Sequence, residues 1–515
     1  MKRTEYVCGH LLAGAGILIT GFLSLYSLFF TTEFVSNAGE ELIQIRGTAG
    51  IILLLMMLSF FLLAFSVKWI MYREAGREKR IRILRDAVVF YAVFYGILWA
   101  WLCKYEPMWD QEEVSLFAEY LASGAQEMDE GRRAYITMYP HQLGLTVFLG
   151  QVYRMFGQGN FFAFQLLNAL GAGGIVYLGY GIVYRMTGRK EAGVCFLFLM
   201  LSCHPLYIYV CYVYGEVLSV AGSFLAISAL FGFLESGKKR YAVLLAAALT
   251  VSCLIRSNCA IVLLAVICVL LVKAFAEKKL RYMSVAILTV AAFLLSRTAL
   301  NQYYENRMEI SLQNGLSSVV WLAMGLQSNG EKSGWYNGYS HYVYLELADG
   351  DAKKAEEIGK ISVKESLKEF QEGPVYAADF FYRKIVSQWN EPTYAALEVT
   401  NCEKNVRNSW MERIYKGDLW KAFVRIMDAY QSLIYTGAFL FLADSVRKKK
   451  TLEVYLWLII VLGGFLFYLF WEAKSRYILP YYIAMIPMAA CGYDLLIRKI
   501  PFIIKQNSRK RDTDE

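Results

Sequence analysis

The chain is poor in charged residues, in proline and in any paired pattern of cysteines. Only 19% of its 515 residues are charged and 8 are proline, whereas 57% are hydrophobic. Nine of the ten cysteines lie in or beside apolar runs and Cys402 stands apart, which excludes the disulfide framework of a small secreted domain. The basic residues form short clusters between apolar runs, so despite a net charge of +9 we expect no nucleic-acid partner.

Motifs that mark familiar enzyme chemistry are also missing. The sequence contains no metal-binding motif of recognisable spacing, no glycine-rich phosphate loop and no Ser/His/Asp arrangement. We therefore predict no cofactor, and the sequence leaves open whether a divalent metal is required.

Long apolar runs make up most of the chain. Runs of roughly 15 to 25 residues match the length needed to cross ~30 Å of hydrocarbon, where a helix satisfies its own backbone polar groups. We predict an all-α polytopic membrane protein with about twelve transmembrane helices. The expected spans are 11–30, 49–72, 86–103, 161–184, 192–209, 216–234, 241–255, 259–275, 283–299, 430–446, 453–471 and 477–497.

Basic clusters indicate the orientation of these spans. Clusters at 73–85, 238–240 and 447–450 follow the second, sixth and tenth spans, and such clusters favour the cytoplasmic side. An even number of spans then places both termini in the cytoplasm, in a multi-pass protein of the plasma membrane. Counting the apolar segment 142–156 as a span would invert every later cluster. We interpret it as an interfacial helix on the outer surface.

The topology divides the chain into four parts. Residues 1–85 hold two extra amino-terminal helices, and 86–300 form a transmembrane core that includes an outward first large loop, residues 104–160. Residues 301–430 form a second outward region, either a loop or a small domain. Residues 431–515 hold the last helices and a basic tail.

Three carboxylates begin the first large loop. Asp110, Glu112 and Glu113 follow a span where it leaves the bilayer, and acidic groups at that depth indicate function. Beside an aromatic neighbour, Asp110 is a candidate general base. Two alternatives stay open: the carboxylates belong to a solvated loop, or Asp110 caps a helix that begins near Glu112.

Tyr139 and His141 begin the interfacial segment. His141 could donate a hydrogen bond to a phosphate or a sugar hydroxyl from that position. The alternative is that it is an ordinary surface or packing residue.

Two charged residues lie beside apolar spans. Glu216 begins the sixth span, and Arg256 lies in the turn between the seventh and eighth. A charge costs ~2.5 to 3.5 kcal/mol at the bilayer centre and less near the interface, unless it is paired or binds a ligand. Arg256 is a candidate for a lipid phosphate, although snorkelling would remove most of the cost.

The last loop places three ionisable residues within five positions. Glu472, Lys474 and Arg476 lie between two apolar spans, with the cations facing outward against the usual charge bias. Arg and Lys close together suit a phosphate. The alternative is an ordinary turn in which Glu472 forms a salt bridge.

Together these features resemble the GT-C superfamily of integral-membrane glycosyltransferases, in the bacterial branch similar to protein mannosyltransferases and to the aminoarabinose transferase of lipid A. The resemblance covers about residues 86–497 and departs from the family pattern in its two preceding spans and in His141. It rests on Trp109-Asp110 after a span, Tyr139-Pro140 leading a helix that ends in Met155-Phe156-Gly157, and Arg476-Tyr477-Ile478-Leu479-Pro480.

The resemblance implies transfer of a sugar from a polyprenyl-phosphate carrier to a glycan, lipid or protein acceptor at the outer face of the bilayer. Asp110 would be the base or would orient the acceptor, and Arg256, Lys474 and Arg476 would contact the carrier phosphate. The other residues that we expect near substrate are Glu112, Glu113, Tyr139, His141, Glu216 and Glu472.

A transporter or flippase of lipid-linked glycans is the alternative function. Such a carrier typically has ionisable residues near the bilayer midplane and matched broken helices in two halves. Here the candidates cluster at one face and no repeated half is visible, which favours the enzyme.

Overall fold

A computed structural model describes residues 2–37, 40–48, 50–72, 74–124, 130–313, 315–329, 332–401, 408–447 and 452–501. Arg73, Cys402 and the basic tail lie outside the described residues. Within them, helices dominate, as expected of a polytopic membrane protein.

Nine helices in the described part of the chain are long and apolar enough to cross a membrane. Each follows one of the predicted apolar runs, and several extend beyond it because the helix continues into polar flanking sequence. The nine are Gly9–Phe29, Ile51–Met71, Arg77–Cys103, Phe161–Thr187, Glu216–Ser236, Ser257–Glu277, Leu280–Met308, Leu419–Val446 and Ser475–Ile497.

Three further predicted spans are helical but shorter. Lys190–Leu201 and His204–Cys211 form a pair bent by 58°, at a break where Pro205 cannot continue the hydrogen-bond ladder. Lys239–Ile255 has 17 residues and Leu456–Phe470 has 15. These lengths fall at or below the lower limit for a perpendicular crossing, so a count of twelve spans stays a prediction.

A β-hairpin joins the first two helices, which the prediction of an all-α fold missed. Strands Phe30–Asn37 and Glu40–Gly47 pair antiparallel, with Phe30 opposite Gly47. The first strand continues directly from the apolar helix. In the sequence, its first residues are therefore not distinguishable from the end of a transmembrane span. The backbone N–H of Thr32 donates to the carbonyl of Asn390 at 3.1 Å, which attaches the hairpin to the second region.

The first large loop is a small helical layer. It contains helices Asp110–Ser123, Glu130–Met138 and Leu143–Phe156, the last preceded by the short 3₁₀ turn Pro140–Gln142. The hydroxyls of Ser115 and Tyr153 lie 2.6 Å apart and join the first helix to the last. The predicted helix at 142–156 is therefore present, and the loop has a packed core.

The second region, residues 301–430, is mainly helical. Its longest helix, Ala352–Glu372, begins after Asp351, whose carboxylate accepts from the backbone N–H of Lys353 at 2.8 Å and of Lys354 at 3.2 Å. The elements between the flanking long helices are Ser318–Gly325, strands Ser328–Asn329 and Lys332–Ser333, Tyr339–His341, the π-helical turn Tyr342–Leu347, Ala352–Glu372, Pro374–Trp389, Ala396–Val399 and Ser409–Tyr415.

Of the nine long helices in the described part of the chain, the last is the most enclosed and Leu280–Met308 is the least. In their most apolar stretches 89% of the Ser475–Ile497 segment is buried within the protein, against 17% of Leu280–Met308. Arg476, at the start of this last helix, is therefore on a segment that is packed within the protein.

Candidate functional site

Asp110 is the first residue of its helix rather than a cap. The helix Asp110–Ser123 follows Trp109, which has φ of 52° and makes no side-chain cap hydrogen bond. The alternative in which Asp110 caps a helix from Glu112 is therefore wrong, since the helix begins two residues earlier. Glu112 and Glu113 share its first turn, where the helix dipole favours negative charge. A buried face that includes Val114 also rules out a simply solvated loop.

A central cavity of about 1170 Å³ lies in front of Asp110. It exceeds the volume of most small-ligand pockets. Asp110 lines it, whereas Glu112 and Glu113 belong to the same turn without lining it. Its charged lining residues are Asp110, Arg256, Arg297, Lys332, Glu398, Glu472, Lys474 and Arg476.

Arg476 faces Asp110 across the cavity. An Nη2 nitrogen of Arg476 lies 3.7 Å from an oxygen of Asp110, and its Nη1 donates to the hydroxyl of Tyr212. The arginine side chain is 10% exposed and the aspartate side chain 51% exposed. The fold thus brings together a buried cation and an accessible carboxylate from opposite ends of the chain.

Arg256 and Glu216 form a second pair, in which the carboxylate is enclosed. Their closest atoms are 3.0 Å apart, with the side chains 12% and 3% exposed. Arg256 lines the central cavity, and Glu216 begins its helix directly after Gly215, whose φ is 89°. The pairing accounts for a buried carboxylate at the end of a membrane helix, because an unpaired charge there would be costly.

Two tyrosine rings lie between the two arginines. The guanidinium carbons of Arg256 and Arg476 are 4.8 and 5.5 Å from the ring centre of Tyr214, and 5.9 and 5.2 Å from that of Tyr477. Cation–π attraction to the shared rings lets two like charges approach each other. Tyr214 was not among the residues predicted from sequence, and Tyr477 was named there only as part of the motif that begins at Arg476.

The loop at residues 471–476, here called the late loop, carries the remaining pair. Nζ of Lys474 lies 3.5 Å from Glu472 and 5.1 Å from the ring centre of Tyr336. Burial raises the pKa of Glu472, and Lys474 opposes that rise. The salt bridge of the alternative interpretation is present, and Glu472 and Lys474 both line the cavity.

Tyr139 contacts a residue of the second region, whereas His141 faces the cavity. The hydroxyl of Tyr139 lies 2.8 Å from Nε2 of His341, a residue of the second region that we did not predict. His141 lines the cavity. The His141 side chain is exposed to the cavity, and the protein around it lowers its pKa to about 4, an effect to which Arg256 adds. The imidazole is therefore neutral near pH 7.

Three charged residues of the cavity were missed from sequence. Arg297 lies within the apolar run 283–299, and an ionisable residue in such a run was the signal that could have found it. Lys332 and Glu398 come from the second region, where charge is common and carries no such signal. In the described residues, no group of three His, Cys, Asp or Glu side chains is placed to hold a metal ion.

The fold and the cavity define a class: a polytopic helical membrane protein with a charged cavity between its long helices and its two loop regions. In comparisons with protein-family models and with curated proteins, no family model and no curated sequence matches this chain. The function therefore has to be argued from the cavity itself.

Proposed function

We propose that this chain is a membrane glycosyltransferase of the GT-C type. It would transfer a sugar from a polyprenyl-phosphate-linked donor to an acceptor on the extracytoplasmic face. The observation that carries the proposal is the accessible carboxylate of Asp110 facing the buried guanidinium of Arg476 at 3.7 Å in one large cavity.

Asp110 is the candidate base. Its carboxylate would accept the proton of an acceptor hydroxyl while that oxygen forms a bond to the anomeric carbon of the donor sugar. The bond from that carbon to the phosphate oxygen breaks, and the polyprenyl phosphate leaves with the electron pair. Attack opposite the leaving group inverts the anomeric centre. A positioned base of this kind contributes ~10² to 10⁴ in rate.

The cations are suited to the leaving phosphate. Arg256, Lys474 and Arg476 line the same cavity, and charge that develops on a leaving phosphate is stabilised by such preorganised groups.

The bent pair Lys190–Leu201 and His204–Cys211 is the observation that favours a transporter or flippase. Transporters of that kind use broken helices in corresponding positions of two repeats. This is the single bent pair among the described helices, so the matching second break is missing. We therefore keep the transferase as the proposal.

An assay of the purified protein tests the proposal. The protein is incubated with a panel of polyprenyl-phosphate sugars and candidate acceptors, and both sugar transfer and release of polyprenyl phosphate are measured. We expect release to depend on Asp110. Asp379→Asn is the matched control, because Asp379 is 52% exposed and pairs with Arg383 at 2.7 Å on a different surface. If the intact donor instead crosses the bilayer of proteoliposomes and no sugar is transferred, the flippase is supported.

A further inference from the structure

A completely buried lysine lies behind the late loop. Lys384 belongs to the helix Pro374–Trp389, and its side chain is 0% exposed. Its Nζ donates to the backbone carbonyl of Trp471 at 2.8 Å and to that of Gly325. The amine is thus held by carbonyl oxygens, an unusual environment for a group that is costly to bury.

Both carbonyls belong to the ends of helices. Gly325 ends the helix Ser318–Gly325, and Trp471 is the first residue after Leu456–Phe470. The last carbonyls of a helix have no partner within it, and a cation near them is favoured by the helix dipole. One amine therefore caps two helices from different parts of the chain.

The backbone of Gly334 packs directly against Lys384. Gly334 has φ of 72°, and a Cβ on it would lie 2.6 Å from Nζ of Lys384 and 2.6 Å from the Gly325 carbonyl. The carbonyl of Gly334 accepts from the N–H of Ala473 at 2.7 Å, within the late loop. Lys384 and the backbone of Gly334 therefore both bind the first half of the late loop.

We propose that Lys384 is a positioning residue, which fixes the start of the late loop so that Lys474 and Arg476 face the central cavity. The consequence for a phosphate ligand rests on the proposed function, whereas the effect on the loop does not.

The protonation state of Lys384 does not decide this role. Burial lowers the pKa of Lys384 to about 7, and the nearby Glu472 opposes the shift. A neutral amine still has two N–H donors for its two carbonyl acceptors, so it holds both helix ends in either state.

Thiol labelling measures the loop directly. Ser475 is 0% exposed, so Ser475→Cys places a reporter in the late loop that reacts only when the loop leaves its position. The native Cys195, also 0% exposed, reports general unfolding in the same sample. Purified protein in detergent is treated with a maleimide, and each site is followed by peptide mass spectrometry.

We expect Lys384→Met to raise the labelling rate at position 475 by roughly tenfold or more, through local opening, with the rate at Cys195 unchanged. Lys360→Met, which removes an exposed ion-paired lysine of the same region, should change neither rate. Equal rates at position 475 in Lys384→Met and the parent would overturn the proposal. A parallel rise at Cys195 would also overturn it, because the lysine would then support the whole fold.

If Lys384→Met fails to fold, a second substitution tests the same contact. Gly334→Ala should displace the amine and open the late loop as Lys384→Met does. Gly350→Ala is its matched control, since Gly350 has φ of 77° and a Cβ there meets nothing within 4 Å. The proposal fails if the two alanine variants label alike at position 475.

Binding of farnesyl phosphate separates this proposal from the proposed function. We expect Lys384→Met and Gly334→Ala to weaken binding of farnesyl phosphate by roughly five- to twentyfold, with farnesol as the phosphate-free control. Unchanged affinity in both variants would overturn the positioning role. Lack of binding to the unmodified protein would instead count against the proposed function, and labelling alone would then decide the role of Lys384.

Discussion

Two arginines that line the central cavity, Arg256 and Arg476, are each paired with a carboxylate, and the two carboxylates differ in how far they are exposed. Glu216 is 3% exposed beside Arg256, whereas Asp110 is 51% exposed beside Arg476. Both arginines are almost buried and share the rings of Tyr214 and Tyr477. The cations are therefore equivalent in environment, and the carboxylates are not.

This difference separates a structural charge from a reactive one. A carboxylate enclosed with its arginine compensates a buried cation and has little contact with a ligand. A carboxylate that is half exposed to the cavity can approach a substrate hydroxyl. The comparison predicts that Asp110 matters for turnover and Glu216 for stability, and the following experiments test that division.

The largest effect is expected from Asp110→Asn. Asparagine keeps the shape but removes the basic oxygen, so turnover should fall by ~10² to 10⁴ while the fold survives. Glu112→Gln and Glu113→Gln are controls on the same helix turn, and sugar transfer by the purified variants is the measurement. Near-normal transfer by Asp110→Asn, or greater damage in either glutamine variant, would contradict the assignment.

Glu216→Gln should act on stability instead. It leaves Arg256 buried without a counter-charge, which costs about 3 to 5 kcal/mol for a buried pair. Thermal unfolding in detergent measures the loss. Asp379→Asn breaks an exposed pair and should cost only about 0 to 1 kcal/mol. Similar unfolding temperatures for the two variants would remove the distinction between the enclosed and the accessible pair.

Lys474→Gln tests whether the cations of the late loop bind phosphate. Loss of one charge-assisted hydrogen bond should weaken binding of a polyprenyl phosphate by about 1.5 to 3 kcal/mol, or about 10- to 150-fold. Calorimetry with farnesyl phosphate measures the dissociation constant. Lys360→Gln is the control, because it removes an exposed lysine. Unaltered affinity would show that the late loop serves the fold alone.

Glu391 extends the comparison to a buried carboxylate without an arginine. Its oxygens accept from the backbone N–H groups of Thr393 at 2.8 Å and Ala395 at 2.6 Å. Burial raises the pKa of Glu391 to about 7, opposed first by the hydrogen bond from the Thr393 side chain.

The native state therefore holds a proton at Glu391 that the unfolded state has released between about pH 4.5 and 7. Stability should fall by about 1 to 3 kcal/mol as pH rises through that window. Thermal unfolding at several pH values measures this slope, and Glu391→Gln should flatten it. Parallel pH profiles for the two proteins would contradict the prediction.

The smallest effect on activity and stability is expected from Gly131→Cys, which tests which side of the membrane the first large loop faces. Residue 131 is exposed in the first large loop, so a thiol there should react with a membrane-impermeant reagent in intact cells if that loop faces outward. Activity should be unaffected. Reaction only after permeabilisation would place both loop regions, and the cavity, on the cytoplasmic side.

The sequence was most informative about single elements. Asp110 was recognisable because a carboxylate after a long apolar run is exceptional, and Lys474 and Arg476 because two cations lie close together between two apolar runs. Arg297 carried the same signal but was overlooked inside an apolar run. Tyr214 could not be recognised, since a tyrosine in an apolar segment is ordinary until two arginines are found on its ring.

What the sequence determined by itself is the series of apolar helices, because membrane-length hydrophobic runs leave the backbone few other states. It also determined which residues are chemically unusual for their surroundings. Only the tertiary structure decided that Asp110 faces Arg476, that Glu216 compensates Arg256, and that Lys384 is buried. Helix packing brings together groups that are distant in the chain, and no local pattern encodes that geometry.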